Sequence, residues 1–148
     1  MTLIKSISGI RGTIGGQVGD ALTPLDIVKF ASAYGTYMRR TQPKKNNKII
    51  VGRDARISGE MVNHLVVGAL MGIGWDVVDI DLASTPTTEV AVQKEDAAGG
   101  IIITASHNPR QWNALKLLNG NGEFLDALQG ESILKLAEFE DFDYVSVD

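Results

Sequence analysis

Two short, wholly apolar runs, Ile49-Ile50-Val51 and Ile101-Ile102-Ile103, set the strongest limit on what this chain can fold into. Neither shows polar alternation and neither is long enough for a helix, so each predicts a strand covered on both faces. A further strand is predicted between them over Trp75-Asp76-Val77-Val78-Asp79-Ile80-Asp81-Leu82, entered through Gly72 and Gly74. Helical stretches separate the three. The first starts at Thr23-Pro24, where Thr23 can cap, Pro24 suits the first helical position and Asp26 favours the positive end. Its residues Ile27, Phe30, Ala31, Tyr34 and Met38 recur at spacings of three and four, forming one buried stripe. Arg39-Arg40 complement its carboxyl end, and Pro43 follows.

The second helix is expected to be capped by Ser58. Two adjacent apolar rows run along it, Met61, Leu65, Ala69 and Val62, Val66, Leu70, Ile73, as in a helix pressed between a sheet and another element. Thr85-Pro86 opens a third, carrying Val90, Ala91 and Ala97 and ended by Gly99-Gly100. Strand, helix, strand, helix, strand is the order of an α/β protein. The expectation is a mainly parallel (mixed) sheet sandwiched between helices in a single three-layer domain.

The flanks fit around this frame. The glycines between Gly9 and Gly19 predict short extended pieces joined by turns. Ala114 to Leu118 predicts a fourth strand, turning back through Asn119-Gly120-Asn121-Gly122 into Glu123-Phe124-Leu125. Ile133, Leu134, Ala137 and Phe139 mark a last helix.

Composition removes several function classes. Fourteen Lys and Arg against 18 Asp and Glu give a net charge of −4, leaving no basic excess for a nucleic-acid backbone. Absence of cysteine removes disulfides, thiolate nucleophiles and Cys-ligated zinc, and two histidines, His64 and His107, are too few for a His-rich metal cage. No apolar run is long enough for a signal peptide or a membrane span, so a cytoplasmic protein is expected.

In α/β sheets ligands bind beyond the carboxyl ends of the strands. Those ends are Gly52 to Arg56, Ala83 to Pro86 and Ala105 to Pro109. The last is the richest in chemistry. Thr104 leaves the buried strand, Ser106 supplies a hydroxyl, His107 two ring nitrogens, Asn108 an amide and Lys116 a cation. Pro109 biases Asn108 toward an extended conformation, so the loop projects its side chains. These are the parts needed to hold and transfer a phosphoryl group. A serine-hydrolase reading with His107 as base is weaker, because adjacent residues of an extended chain point apart and no Gly-x-Ser-x-Gly elbow surrounds Ser106. An ordinary Asn-Pro turn with solvated Ser106 and His107 accounts for the segment equally well.

Thr104-Ala105-Ser106-His107-Asn108-Pro109, preceded by Gly100 and three isoleucines, resembles the active-serine signature of the α-D-phosphohexomutases, which include phosphoglucomutase, phosphomannomutase and phosphoglucosamine mutase. Three segments agree in order. Gly9-Ile10-Arg11-Gly12 is similar to the family's amino-terminal Arg-Gly element, Val51-Gly52-Arg53-Asp54-Ala55-Arg56 to its Gly-Arg-Asp-x-Arg segment, and Asn113-Ala114-Leu115-Lys116 to its Asn-Gly-x-Lys segment, with Ala114 standing where glycine is common. The resemblance implies that Ser106 is a phosphoserine that donates a phosphoryl group to a hexose phosphate and recovers one from a bisphosphorylated intermediate. It implies catalytic roles for Ser106, His107, Lys116 and Arg11, and substrate or phosphate contacts from Thr104, Asn108 and Arg53. The phosphate on Ser106 would supply an oxygen to Mg²⁺, and a hexose 1,6-bisphosphate would act as activator. Arg11 suits electrostatic positioning better than base chemistry, since a guanidinium stays protonated.

The resemblance also implies further domains carrying the metal loop, the sugar site and the second phosphate site, none of whose motifs occurs here. Residues 1–137 would then be the active-serine domain and 138–148 a linker toward the second. A non-catalytic sugar-phosphate-binding or interaction module retaining the loop is the alternative.

Other features read as structural. Gly9-x-x-Gly12-x-x-Gly15-Gly16 misses the dinucleotide spacing. Asp79 and Asp81, at period two, are expected on one side of a strand as solvated carboxylates. Asp141 and Asp143 are expected solvated in an acidic tail, His64 partly buried in its helix, Trp112 anchoring the loop, and Arg53 paired with Asp54.

Overall fold

A computed structural model describes residues 1–42 and 46–148; Pro43, Lys44 and Lys45, expected to end the first helix and lead into the first buried strand, lie outside the described residues. The order is β1 (Ile4–Lys5), β2 (Gly9–Thr13), α1 (Pro24–Thr41), β3 (Asn46–Arg53), α2 (Gly59–Gly72), β4 (Asp76–Leu82), α3 (Thr85–Lys94), β5 (Ala97–Ile103), β6 (Trp112–Leu118) and α4 (Ala127–Glu138). The strands form one sheet in the order β1-β2-β6-β5-β3-β4. The fold is α/β with an open mixed sheet. β3 pairs in parallel with β4 and β5, whereas β5-β6, β6-β2 and β2-β1 are antiparallel.

The two apolar runs are fully buried and alternate between two cores. Ile49, Val51, Ile101 and Ile103 face the larger one, with Ile27, Phe30, Tyr34 and Met38 of α1 and Val62, Val66 and Leu70 of α2. Ile50 and Ile102 face the smaller one, with Val92 of α3 and Leu118. Helix α3 packs mainly on β5 and β3. Farther along the same face, on β6 and β2, Gly9, Arg11, Ala114 and Lys116 line an open cavity.

Thr23 caps α1 as expected, in a reciprocal capping box with Asp26. Ser58 stands at the start of α2, but its side chain makes no cap bond; its Oγ instead accepts from Asn113 Nδ2 at 2.9 Å. Trp75 lies just outside β4, its Nε1 donating to Gly35 O at 2.9 Å.

Three expectations about boundaries are corrected. Gly99-Gly100 do not end α3 but lie inside β5, together with Ala97; the helix stops at Lys94. These glycines are required by close approach, since a Cβ on Gly99 would overlap the Tyr34 hydroxyl and one on Gly100 would come within 2.8 Å of Val92 Cγ2. Residues Glu123 to Leu125 form no strand and meet β6 through a single bridge, Leu118 to Phe124. Asp79 and Asp81 do not share a regular face, because a bulge opposite Val51 and Gly52 interrupts β4 and Asp81 has φ +57°. Asp79 accepts from Asn63 Nδ2, and Asp81 pairs with Arg53 at 3.0 Å.

His64, expected partly buried, has a side chain 73% exposed beside Glu60, whereas its neighbour Asn63 is the polar residue that α2 buries. The carboxylates of the acidic tail are exposed, as expected, but they are also paired. Arg40 binds Asp141 and Asp143, Tyr144 Oη lies 2.8 Å from Ser32 Oγ, and Val145 N donates to Gly72 O. Among the described residues no helix is long and apolar enough to cross a membrane.

Candidate functional site

The parallel strands β3, β4 and β5 deliver their carboxyl ends to one edge of the sheet, where Asp54 N donates to Ile103 O and Ala83 N to Arg53 O. The segment Thr104 to Gln111 leaves this edge as a loop and returns as β6. Because β6 is antiparallel to β5, Lys116 stands opposite Ile102 and its side chain runs back toward the loop. Lys116 Nζ donates to Ser106 Oγ at 2.7 Å.

A cavity of about 260 Å³ opens there, lined by Arg11, Ala105, Ser106, His107, Asn108, Ala114 and Lys116. Arg11 comes from β2, opposite Ala114, on the same face as Lys116. A neighbouring cavity of about 380 Å³ shares Arg11, Ala114 and Lys116 and extends over the open face toward Ser6, Ser8 and Phe124. The structure thus brings together Ser106, His107, Asn108, Lys116 and Arg11 from three separate segments, the loop after β5, β6 and β2. Ser106, His107 and Arg11 are exposed, so an incoming group reaches them from solvent. Two cations and an imidazole around one hydroxyl make the cleft suited to an anionic ligand. The Ser106 hydroxyl is held by Lys116 and not by His107, which removes the geometric basis of the hydrolase alternative.

Ala114 sits in regular strand geometry opposite Arg11 and needs no special backbone freedom.

Two expected phosphate contacts are placed elsewhere. Thr104 is buried and its hydroxyl is fully engaged, donating to Asp54 Oδ2 at 2.5 Å and accepting from Ser106 N at 3.2 Å. Arg53 pairs with Asp81 instead of Asp54, its side chain only 17% exposed and outside both cavities. The charged pair on the first strand's exit is Asp54 with Arg56, at 3.4 Å.

Arg56, the last residue of the Gly-Arg-Asp-x-Arg segment, makes the densest set of contacts at the site. Nη1 donates to Pro109 O at 2.7 Å and Trp112 O at 3.3 Å; Nη2 donates to Ser106 O at 2.7 Å and Asn108 O at 2.8 Å. An arginine three residues past a buried strand, facing a second strand's loop, is the signal in the sequence, but the carbonyls it binds have no side-chain signature.

For Mg²⁺ the residues present offer little. Among the described residues no three His, Cys, Asp or Glu side chains converge, and Asp54, the carboxylate nearest in the network, is occupied by Thr104 and Arg56.

Comparison with known proteins identifies the family and the fold. The sequence profile of the family "Phosphoglucomutase/phosphomannomutase, alpha/beta/alpha domain I" matches residues 3–143. The phosphoglucomutase/phosphomannomutase of Thermococcus kodakarensis is 38% identical over 133 residues, covering 88% of this chain and 29% of the relative. The phosphoglucosamine/phosphogalactosamine mutase of Sulfurisphaera tokodaii is 39% identical over 114 residues, covering 77% of this chain and 23% of the relative. In fold, the crystal structure of a phosphoglucomutase/phosphomannomutase family protein from Burkholderia thailandensis superimposes with a TM-score of 0.78 at 24% identity, over 95% of this chain and 31% of that one. The chain therefore spans less than a third of the length of these relatives. It belongs to the phosphoglucomutase/phosphomannomutase family, of which it is the α/β/α domain I.

Proposed function

We propose that this chain is the active-serine domain of a hexose-phosphate mutase, in which Ser106 carries the phosphoryl group exchanged between the 1- and 6-positions of the sugar. The observation that carries the reading is the 2.7 Å contact of Lys116 Nζ with Ser106 Oγ at the mouth of a cationic cleft. In the donating step a sugar hydroxyl oxygen bonds to phosphorus and its proton passes to an oxygen of the transferred phosphoryl group, while the P–Oγ bond of phosphoserine breaks and Ser106 Oγ takes a proton from Lys116. In the recovering step Oγ bonds to a phosphorus of the bisphosphorylated sugar and returns its proton to Lys116, and the sugar oxygen leaves with the proton held on the phosphoryl group. Arg11 and His107 line the same cavity and face the equatorial phosphoryl oxygens, where fixed positive charge and hydrogen-bond donors stabilise the developing charge. Asn108 closes the loop side of the cavity.

Bound Mg²⁺ would neutralise phosphoryl charge, with the Ser106 phosphate giving one oxygen and the other ligands coming from outside this chain. Sugar recognition and capture of the second phosphate are likewise assigned to other domains, so the 148 residues alone are expected to turn over hexose phosphate hardly at all. Phosphoglucosamine and phosphomannose are the proposed substrates.

The test is intact-mass analysis of a longer protein carrying this domain, after incubation with a hexose 1,6-bisphosphate and Mg²⁺. One added phosphoryl group mapping to Ser106 is expected. An unmodified Ser106 would favour a sugar-phosphate-binding module, and full turnover by the 148-residue chain alone would overturn the division of labour.

A further inference from the structure

We infer that Arg56 is a positioning residue for phosphoryl transfer: its guanidinium, with Asp54 and Thr104, holds Ser106 in the left-handed backbone conformation that aims Oγ at Lys116. The functional half of this inference rests on the role proposed for Ser106; the conformational half does not.

Ser106 has φ +50°, a backbone region that disfavours any residue but glycine. Strain of this kind persists only where surrounding structure over-determines it. Here both peptide planes flanking Ser106 are fixed. Its N–H, on the plane shared with Ala105, donates to Thr104 Oγ1, and its carbonyl, on the plane shared with His107, accepts from Arg56 Nη2. Peptide planes are rigid, so fixing the two leaves φ and ψ of the residue between them no freedom. The direction of the Ser106 Cα–Cβ bond follows, and the bond from Lys116 Nζ then holds the χ1 rotamer that places Oγ.

Each half of this clamp is itself anchored. Thr104 Oγ1 accepts from Ser106 N only if its own proton points elsewhere, and Asp54 Oδ2 takes that proton. Asp54 is in turn fixed by Arg56, whose backbone N–H donates to Oδ1 and whose Nε lies 3.4 Å from Oδ2. That last pair is a close charge contact rather than a hydrogen bond, since Nε has no bonding partner of acceptable geometry. Arg56 thus touches both ends of the network, directly at the Ser106 carbonyl and through Asp54 and Thr104 at the Ser106 amide. Its side chain is only 13% exposed, and the rigid fork reaches the carbonyls of residues 106, 108, 109 and 112 together. A lysine keeps the charge but is a point donor that cannot span four carbonyls.

The experiment compares Arg56→Lys, Thr104→Val and Thr104→Ser with the parent 148-residue chain by NMR. Arg110→Lys, on the exposed outside of the loop, is the control. The readouts are the Ser106 Cα and Cβ shifts, which report the left-handed conformation, and the hydrogen-exchange protection of the Ser106 amide. Arg56→Lys and Thr104→Val are expected to shift Ser106 out of the left-handed range and remove amide protection, while Thr104→Ser restores both signals and Arg110→Lys leaves them unchanged. If Arg56→Lys does not fold, the Thr104 pair decides. Left-handed shifts and protection retained in either folded Arg56→Lys or Thr104→Val would overturn the inference.

A second arm uses a longer mutase carrying this domain. Arg56→Lys is expected to lower kcat about 100-fold with KM unchanged, the scale of a misplacement near 1 Å. Turnover surviving Ser106→Ala would sink the role of Ser106 while leaving the NMR result standing. Turnover abolished by Ser106→Ala but undiminished in Arg56→Lys would sink the role of Arg56.

Discussion

Lys116 Nζ donates to Ser106 Oγ across a separation of ten residues, because β6 returns antiparallel beside β5 and brings its lysine back to the loop that β5 launched. The pair is therefore set by strand register rather than by a flexible loop. Lys116→Met keeps the aliphatic stem and removes the proton donor. In a longer mutase carrying this domain it is expected to slow phosphorylation of Ser106 by at least about 100-fold, the usual scale for a positioned acid or base. Thermal unfolding of the 148-residue variant should match the parent, because Lys116 is half-buried and its ammonium bonds only Ser106 among the described residues. Rapid-quench measurement of phosphoserine with the bisphosphate as donor checks the rate, and an unchanged rate would remove Lys116 from the mechanism.

Arg11 offers a cleaner separation of function from stability. It is exposed on β2 and lines both cavities, and its guanidinium makes no hydrogen bond or ion pair among the described residues. Arg11→Ala should change stability by no more than about 0.5 kcal/mol, as for surface sites without special contacts. Phosphoryl transfer should fall by about 10–100-fold, and Arg11→Lys should recover part of it, since charge near the phosphoryl oxygens matters more than fork geometry if the role is electrostatic. Denaturant melts alongside single-turnover kinetics check both halves. A large loss of stability in Arg11→Ala would show that the side chain supports the sheet instead.

Much of this arrangement was legible in the sequence, and the reasons are local. Ile49-Ile50-Val51 and Ile101-Ile102-Ile103 had no polar face to misread, and Thr23 with Asp26 announced α1 by capping chemistry. Ser106, His107, Asn108, Lys116 and Arg11 converge as the motifs implied. What could not be read depends on partners distant in sequence. Gly99-Gly100 look like a helix stop, and only the approach of Tyr34 and Val92 makes them strand residues. Arg53 stands next to Asp54, but the bulge in β4 turns Asp81 toward it and leaves Asp54 to Arg56. The tail carboxylates read as solvated because nothing local announces Arg40 as their partner.

The close packing at Gly99 has a measurable cost. A methyl group there overlaps the Tyr34 hydroxyl and comes within 2.8 Å of Leu118 O, the carbonyl to which Tyr34 donates at 2.6 Å. Gly99→Ala is expected to destabilise by roughly 1–3 kcal/mol, as overpacking does. Tyr34→Phe alone should cost about 1 kcal/mol for the lost hydrogen bond, and the double variant should lose less than the sum, since removing the hydroxyl makes room for the methyl. Gly68 is the contrasting case, because a Cβ there meets nothing within 4 Å on the exposed side of α2. Gly68→Ala should stabilise by roughly 0.4–1 kcal/mol through reduced freedom of the unfolded chain. Urea melts of the four variants beside the parent test the set, and strict additivity at Gly99 and Tyr34 would refute the shared space.

The tail should undock in acid. Hydrogen bonds from Arg40 hold the Asp143 carboxyl below the ordinary aspartate value, and the same bonds push Arg40 upward. A carboxyl depressed in the folded state stabilises fully above its unfolded pKa and loses that contribution as pH falls through the folded one. Docking should therefore be intact at neutrality and down to about pH 4, then weaken below it. Two amides report the event, Asp143 N bonded to Thr36 Oγ1 and Val145 N bonded to Gly72 O. Their hydrogen-exchange protection, corrected for intrinsic rates, should fall between pH 4 and pH 2 while amides of β5 stay protected. Because Arg40, Asp141 and Asp143 are all substantially exposed, added salt should weaken docking in the same way. Arg40→Met should expose both amides already at pH 7. Val145 protection that stays constant through the acid range, or that survives Arg40→Met, would show that packing of Tyr144 and Val145 against Gly72 and Gly74 holds the tail without the ion pairs.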